Sequence, residues 1–340
     1  MKIPTLQSKQ QGFTLIEIMI AATISLILLA GVGQIFTSNQ QTYRVQEAVS
    51  RVQENGRFAM HLLTKEIRMA GFTGCASMGS VNNIADVDGV AGADPISDFS
   101  TGGINGREQA DLPITLFGAV QLTAAQVNPG TDVLIFQRGT DTGVRLTGNM
   151  NTVNANIQLQ TATVNGAFQA DDILVISDCS SADIFAATNV GNGAGVTTIA
   201  HANATNVDNN LSALYGTDAT VMKFEHFTFY IANNVAGIPS LYRTRLGNAN
   251  IVTEELIEGI EDMEILFGED TDADRTANRY VAANTAGLLM ANVVSVRITL
   301  TLRTLEDNVS MASAAAAIAI GDRRIRRTYT TTTSIRNRTL

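Results

Sequence analysis

Residues 13–36 constrain this chain more than any other segment. They are 24 consecutive positions carrying a single charge, Glu17. A run of that length crosses the hydrocarbon core of a bilayer as a helix. A carboxylate inside such a helix costs about 2.5–3.5 kcal/mol on insertion scales, so Glu17 requires a partner. Twelve mostly polar residues precede the run, with Lys2 and Lys9 as their only charges. A cut after Gly12 would give Phe13 a free ammonium, and Glu17 could pair with such an ammonium on another subunit. An ordinary secretory signal is cleaved after its apolar region and loses it. Here the candidate cut precedes the apolar region, so the anchor is retained. A plain single-pass anchor accounts for the length of the run but not for Glu17 or the junction.

The junction Gly12-Phe13-Thr14-Leu15-Ile16-Glu17 resembles the class III leader of type IV pilins and pseudopilins. The resemblance implies a membrane prepilin peptidase that cuts after Gly12 and methylates the new amino terminus at Phe13. It also implies assembly through the N-terminal helix, with Glu17 as the assembly residue.

Removal of 12 residues leaves 328, enough for a sizeable core. The net charge is −9 and unevenly spread. Residues 71–322 hold 28 acids and 10 bases, a net of −18, whereas six arginines and no acid follow Asp322 (positions 323, 324, 326, 327, 336 and 338). Tryptophan is absent, and Gly, Asn, Asp, Thr and Ala are abundant, which suits a loop-rich β domain. The two cysteines, Cys75 and Cys179, would lie outside the cytoplasm on an anchored chain. There an even pair forms a disulfide more readily than a metal site.

No proline occurs between Pro4 and Pro95, and Val45, Val49, Val52, Ala59, Leu62, Leu63 and Ile67 recur at helical spacing. The apolar helix is therefore expected to continue to Ala70, with Lys65 and Arg68 in its last turns and Gly71 as C-cap. A helix over 13–70 would be about 87 Å long at about 1.5 Å per residue, apolar all round at first and amphipathic later. Gly31 and Gly33 are its weak points, each costing about 1 kcal/mol against Ala, where a bend or local melting is expected. Residues 72–130 read as long loops with short elements. Strands are expected over Asp132–Arg138, 157–164, 173–176, 223–231, 241–246, 263–267 and 328–335. The clearest is Val293–Arg303, where Val294, Val296, Ile298, Leu300 and Leu302 alternate with Ser295, Arg297, Thr299, Thr301 and Arg303. Residues 186–221 read as a surface insertion, and 311–321 as an Ala-rich loop or short helix. The fold class is α+β: a long N-terminal helix packed on an antiparallel β-sheet head with long loops. The parts are a leader over 1–12, a transmembrane or filament-core helix over 13–36, an amphipathic helix half over 37–71 and a β-rich head over 72–340.

Further phrases follow in order: Gln53-Glu54-Asn55-Gly56-Arg57-Phe58-Ala59, Glu66-Ile67-Arg68-Met69-Ala70-Gly71-Phe72 with Cys75, Ser177-Asp178-Cys179-Ser180-Ser181-Ala182-Asp183, Ser240-Leu241-Tyr242-Arg243, Leu256-Ile257-Glu258-Gly259-Ile260-Glu261-Asp262-Met263, and Ser334-Ile335-Arg336-Asn337-Arg338. Together they resemble the PilW family of type IV pilus minor pilins, the counterpart of the J-type pseudopilin of type II secretion. That resemblance implies a structural, non-catalytic subunit held in the inner membrane with a periplasmic head. It would join other minor pilins to prime pilus assembly and end at or near the tip. The implied partners are prepilin peptidase, other minor pilins, the major pilin and the inner membrane, with a tip adhesin as a further candidate. The alternatives are a type II secretion pseudopilin, and a tip adhesin or DNA-uptake subunit.

No Ser/His/Asp arrangement, nucleophile elbow or HExxH motif occurs. His61, His201 and His226 are scattered and read as packing or surface residues. Gly191-Asn192-Gly193-Ala194-Gly195 reads as a flexible loop, since no lysine follows and no strand–helix frame surrounds it. Glu254–Asp274 holds ten acids and no base. At its end Asp270, Asp272 and Asp274 take positions 1, 3 and 5 of a calcium loop. Against calcium, the only cofactor candidate, position 6 is Arg275 rather than Gly and position 12 is Val281 rather than Glu. The competing reading is a solvated acidic turn. The terminal arginines read as partners for carboxylates of the acidic body or of a neighbouring pilin. Binding of nucleic acid is disfavoured by the net −18 body.

Overall fold

The structure, a computed structural model, describes residues 12–76, 81–86, 99–117, 120–164, 166–246, 250–309 and 322–339. The leader up to residue 11 and the Ala-rich stretch 311–321 lie outside the described residues. The chain divides into two compact units, Met1–Arg51 with Glu306–Ile325, and Val52–Leu305 with Arg326–Leu340.

One helix, α1, covers Leu15–Arg68. It runs unbroken through Gly31 and Gly33, so the helix does not melt there. Neighbouring turns hydrogen-bond through both glycines because the surrounding Leu, Ile and Ala residues are good helix formers. In the first unit its apolar side chains, from Leu15 and Ile16 to Ile35 and Phe36, are all exposed. In the second unit Val52, Gly56, Ala59, Leu63, Glu66 and Ile67 are buried, a stripe at helical spacing that faces a core. Gly71, in the left-handed region at φ 75°, ends the helix as expected, and its N–H donates to the Gln137 carbonyl.

The strands of the second unit are β1 Val81–Asn83, β2 Ile104–Glu108, β3 Ile114–Phe117, β4 Val120–Leu122, β5 Asp132–Arg145, β6 Ile157–Gln160, β7 Ile173–Ser177, β8 Ala182–Ala186, β9 Asn189–Gly193, β10 Val196–Ala200, β11 Thr220–Asn233, β12 Pro239–Leu246, β13 Ile251–Glu258, β14 Ile260–Glu269, β15 Arg279–Val281, β16 Val293–Arg303 and β17 Arg326–Ser334. Two four-residue helices, α2 Thr161–Val164 and α3 Arg336–Thr339, complete the elements. An eight-stranded sheet has the order β1-β8-β7-β11-β12-β13, with β5 on the other edge of β11 and β2 on β5. A four-stranded sheet runs β15-β14-β16-β17, a three-stranded one β6-β10-β9, and β3 pairs with β4. All pairings are antiparallel except β1 with β8. β16 has the expected bounds, and its even-numbered apolar residues are all buried. Val296, Ile298, Leu300 and Leu302 pack with Leu63 and Ile67 of α1, Phe136 of β5, Phe229 of β11 and Phe267 of β14 into the largest core cluster.

Gly259 is where the chain passes from one sheet to the other. It lies at φ 82°, donates its N–H to the Pro239 carbonyl at the start of β12, and accepts from the Arg303 N–H at the end of β16. A side chain there would be strained and would press on the Arg303 carbonyl.

Two expectations are corrected. Residues 186–221 are not a surface insertion: Ile199, Leu211, Tyr215 and Ala219 are buried in a second core with Phe185 and Val221. Gly191–Gly195 is not a flexible loop but the β9–β10 hairpin, turned by Ala194 at φ 51° and Gly195 at φ 81°. Two successive positive-φ residues match the right-handed twist of the paired strands.

Candidate functional site

At the start of α1, Thr14 and Glu17 cap the helix reciprocally. The Glu17 N–H donates to the Thr14 hydroxyl at 3.3 Å, and Glu17 Oε2 accepts from the Thr14 N–H at 2.9 Å and its hydroxyl at 2.7 Å. This is a capping box, which satisfies helix N–H groups that have no partner of their own. The Oε1 atom of Glu17 has no partner among the described residues. Phe13 is 85% exposed. Phe13 and Glu17 line one shallow hollow on the helix surface with Ile18, Ala21, Ala22 and Ser25. Helical spacing alone therefore brings Phe13 and the Glu17 carboxylate together.

Cys75 and Cys179, 104 positions apart in sequence, form a disulfide with Cα atoms 4.5 Å apart. Asp178 sets the position of Cys179: its Oδ1 accepts the N–H groups of Ser180 and Ser181 at 2.7 Å each, closing the β7–β8 turn. Beyond it Asp183, fully buried, accepts from the Tyr215 hydroxyl at 2.6 Å, the Ser212 hydroxyl at 2.8 Å and the Asn82 amide at 2.7 Å. Burial and then the Asp183 charge raise the Tyr215 phenol above its usual range. Sequence reasoning missed this role of Asp183, whose partners are supplied by residues 101 positions upstream and about 30 downstream.

Asp270, Asp272 and Asp274 each offer one carboxylate oxygen within 4.8 Å of the others. Asp270 shapes their loop by accepting from the N–H groups of Asp272, Ala273 and Arg275. Arg275 stands at φ 68°, so the sharp turn that a calcium loop obtains from glycine at position 6 is made here by arginine. Neighbouring Glu269 is desolvated, which disfavours its charge. The Leu289 N–H and Arg279 outweigh that and hold it below the usual carboxylate range.

The terminal arginines do not act as one patch. Arg326 pairs with Glu261 at 2.6 Å, and Arg303 joins it at 3.3 Å, so a carboxylate of the acidic segment is met as expected. Arg324 pairs with Asp322. Arg338 instead donates to four main-chain carbonyls, those of Thr101, Gly102, Met290 and Val293, and desolvation lowers its pKa to about 10. His61 is exposed. His201 and His226 are buried and hydrogen-bonded to Ala155 and to Gln137 and Thr228.

A further ion pair joins α1 to the sheet. Arg138 of β5 lies 2.6 Å from Glu66 and 2.8 Å from Glu225 of β11, with its guanidinium over the Phe227 ring.

Two family models match the chain. Residues 228–337 match PilW, Type IV Pilus-assembly protein W, and residues 7–33 match the prokaryotic N-terminal methylation motif. The first covers β12–β17 with the Asp270 loop, and the second covers Gly12, Phe13 and Glu17. Both cysteines lie outside the two matches. No curated protein and no solved structure matches the chain. The two matches support a minor pilin of the type IV pilus.

Proposed function

We propose that the chain is a minor pilin whose leader is removed between Gly12 and Phe13. Residues 13–36 then anchor it in the inner membrane, with the β-rich head in the periplasm. There it joins other minor pilins in a complex that primes filament assembly and is incorporated at or near the tip. Its partners are prepilin peptidase, the other minor pilins and the major pilin. Its role is structural rather than catalytic.

The observation that carries this reading is the Phe13–Glu17 arrangement on a helix whose apolar residues are exposed all round over its first half. In lipid or in a filament core, Glu17 is too costly to persist without a cationic partner. The ammonium created at Phe13 of an adjacent subunit supplies one, and the unpartnered Oε1 is free to accept it. Removing one member of a buried pair costs about 3–5 kcal/mol, because the other charge is stranded. The PilW match, rather than any physical feature, favours the pilus over a secretion pseudopilin.

Two measurements test the reading. Intact-mass analysis of the membrane form should show a chain that begins at methylated Phe13; an uncut Met1, or a start after residue 30, would overturn it. Glu17→Ala should be processed normally yet recovered in reduced amount with the other minor pilins. Undiminished recovery would remove the pairing from the mechanism.

Asp270, Asp272 and Asp274 would hold a calcium ion as a structural brace. Three converging hard oxygens support this, and the remaining ligands of a six- to eight-coordinate ion would come from carbonyls or water.

A further inference from the structure

A cleft of about 340 Å³ in the second unit lies on one face of the sheet formed by β2, β5 and β11, and the β3–β4 hairpin forms its wall. The register builds its floor. Asn105 lies opposite Ile135, and Gln137 lies opposite His226. Arg107, two residues from Asn105, projects from the same face of β2. Thr115 of the hairpin also lines the cleft, and none of the lining residues is an acid.

Arg107 is one of ten bases in a body with net charge −18 over 71–322. It makes no ion pair among the described residues. One guanidinium nitrogen donates to Asn105 Oδ1 and the Gly106 carbonyl at 2.9 Å each, which holds the group in place. Its other nitrogens have no protein partner among the described residues. The body's acidic field is screened within about 8 Å at physiological salt, so the local guanidinium decides which charge the cleft accepts.

One guanidinium, held in place, matches one carboxylate through two parallel N–H···O bonds. A phosphate dianion would call for a second permanent cation or a nest of main-chain N–H groups, and the cleft is lined by no second arginine and by no lysine. The Asn105 amide nitrogen can donate, its Oδ1 being taken by Gly106 and Arg107, and the hydroxyl of Thr115 can donate and accept, as sugar hydroxyls require. Ile114 and Pro113 of the hairpin and Ile135 of the floor offer apolar surface for the C–H face of a sugar ring. The volume lies at the small end of ligand pockets, which suits one monosaccharide.

We propose that this cleft binds a small carboxylated sugar, of hexuronate size, with Arg107 anchoring its carboxylate. The inference goes beyond a role in assembly and does not depend on it.

The test is titration of the full-length protein in detergent micelles with glucuronate, glucose and inorganic phosphate, followed by calorimetry. Glucuronate should bind saturably and at least tenfold more tightly than glucose or phosphate. Arg107→Gln should weaken glucuronate at least tenfold and abolish the preference over glucose. Thr115→Val leaves the guanidinium and its two anchors intact; it should weaken glucuronate severalfold with an unchanged melting temperature, so a failure of Arg107→Gln to fold does not remove the test. Absence of saturable glucuronate binding at tens of millimolar, equal binding of glucose or phosphate, or indifference to both substitutions would overturn the proposal.

Discussion

Asp132 sits at the start of β5, directly opposite Glu108 of β2, and is 3% exposed. Its Oδ2 accepts the Ile265 N–H of β14 at 2.7 Å. Burial, opposed only in part by that bond and reinforced by Glu108 and Glu264, raises its pKa to about 8. Like carboxylates facing each other across a strand pair cannot both ionise cheaply. The folded protein therefore binds this proton more tightly than the unfolded chain, whose value is about 3.9. Its stabilising effect is complete below about pH 4 and is lost as pH rises through about 8. Asp132→Asn keeps the shape and the acceptor but cannot ionise. It should be more stable than the parent at pH 8 by about 1–3 kcal/mol and nearly equal at pH 4. Urea denaturation at the two values checks this. Arg275 is a second residue-scale case. A non-glycine residue held in the left-handed region costs about 1 kcal/mol or more, so Arg275→Gly should raise stability by about that amount. Melting in millimolar calcium and in chelator should show a calcium-dependent increase, larger for the variant than for the parent. If neither protein responds, Asp270, Asp272 and Asp274 hold no calcium.

At the scale of the element, α1 obeys two sets of rules along one continuous helix. Beside Gly31 and Gly33 nothing lies within 4 Å of where a Cβ would stand. Gly31→Ala should gain about 1 kcal/mol of helix stability, visible as slower hydrogen exchange of the flanking amides. Gly56 has the same intrinsic cost but a different neighbour. A Cβ there would lie 2.5 Å from the Tyr329 ring of β17, so the strand can seat its tyrosine only against a bare backbone. Gly56→Ala should lower stability despite its better propensity, by about 1–3 kcal/mol as overpacking does, and Tyr329→Leu in the same chain should recover part of the loss. The same contrast separates β16 from β9 and β10. Strict alternation in β16 reveals a half-buried strand, whereas the Asn, Gly and Thr residues of the hairpin resemble a loop, and only Thr197 and Ile199 of β10 are buried there.

At the scale of the whole molecule, the Cys75–Cys179 bond closes a loop of about a hundred residues that contains β1 to β7. The chain-entropy relation gives about 4.7 kcal/mol for such a loop, and measured values are commonly about 2–4 kcal/mol. Cys75→Ser combined with Cys179→Ser should lower the denaturation free energy by that amount and leave processing at Gly12 unchanged, since the junction lies in the other unit. Non-reducing peptide mapping of the parent should show the cross-link directly.

What the sequence determined by itself is everything governed by local spacing. The approach of Glu17 to Phe13 one turn on, the stripe of Ala59, Leu63 and Ile67 and the bounds of β16 follow from periods of 3.6 or 2, and the cap at Gly71 from glycine's ease in the left-handed region; the junction at Gly12 and Phe13 is carried instead by its resemblance to a known leader. Glu261 meeting a terminal arginine was legible in the same sense, through an acidic body and a basic end. Only the tertiary structure decided the rest. Leu211 and Tyr215 sit in polar, asparagine-rich surroundings and became core because distant strands closed over them. Asp132 became a carboxyl that retains its proton because β2 and β14 brought Glu108 and Glu264 to it. Asp183 could be buried because Asn82, Ser212 and Tyr215 arrived to satisfy it, and Arg107 kept its charge unpaired because register placed it in a cleft without acids. In each case the deciding neighbour lies tens of residues away or more, where period and propensity carry no information and burial sets the free energy.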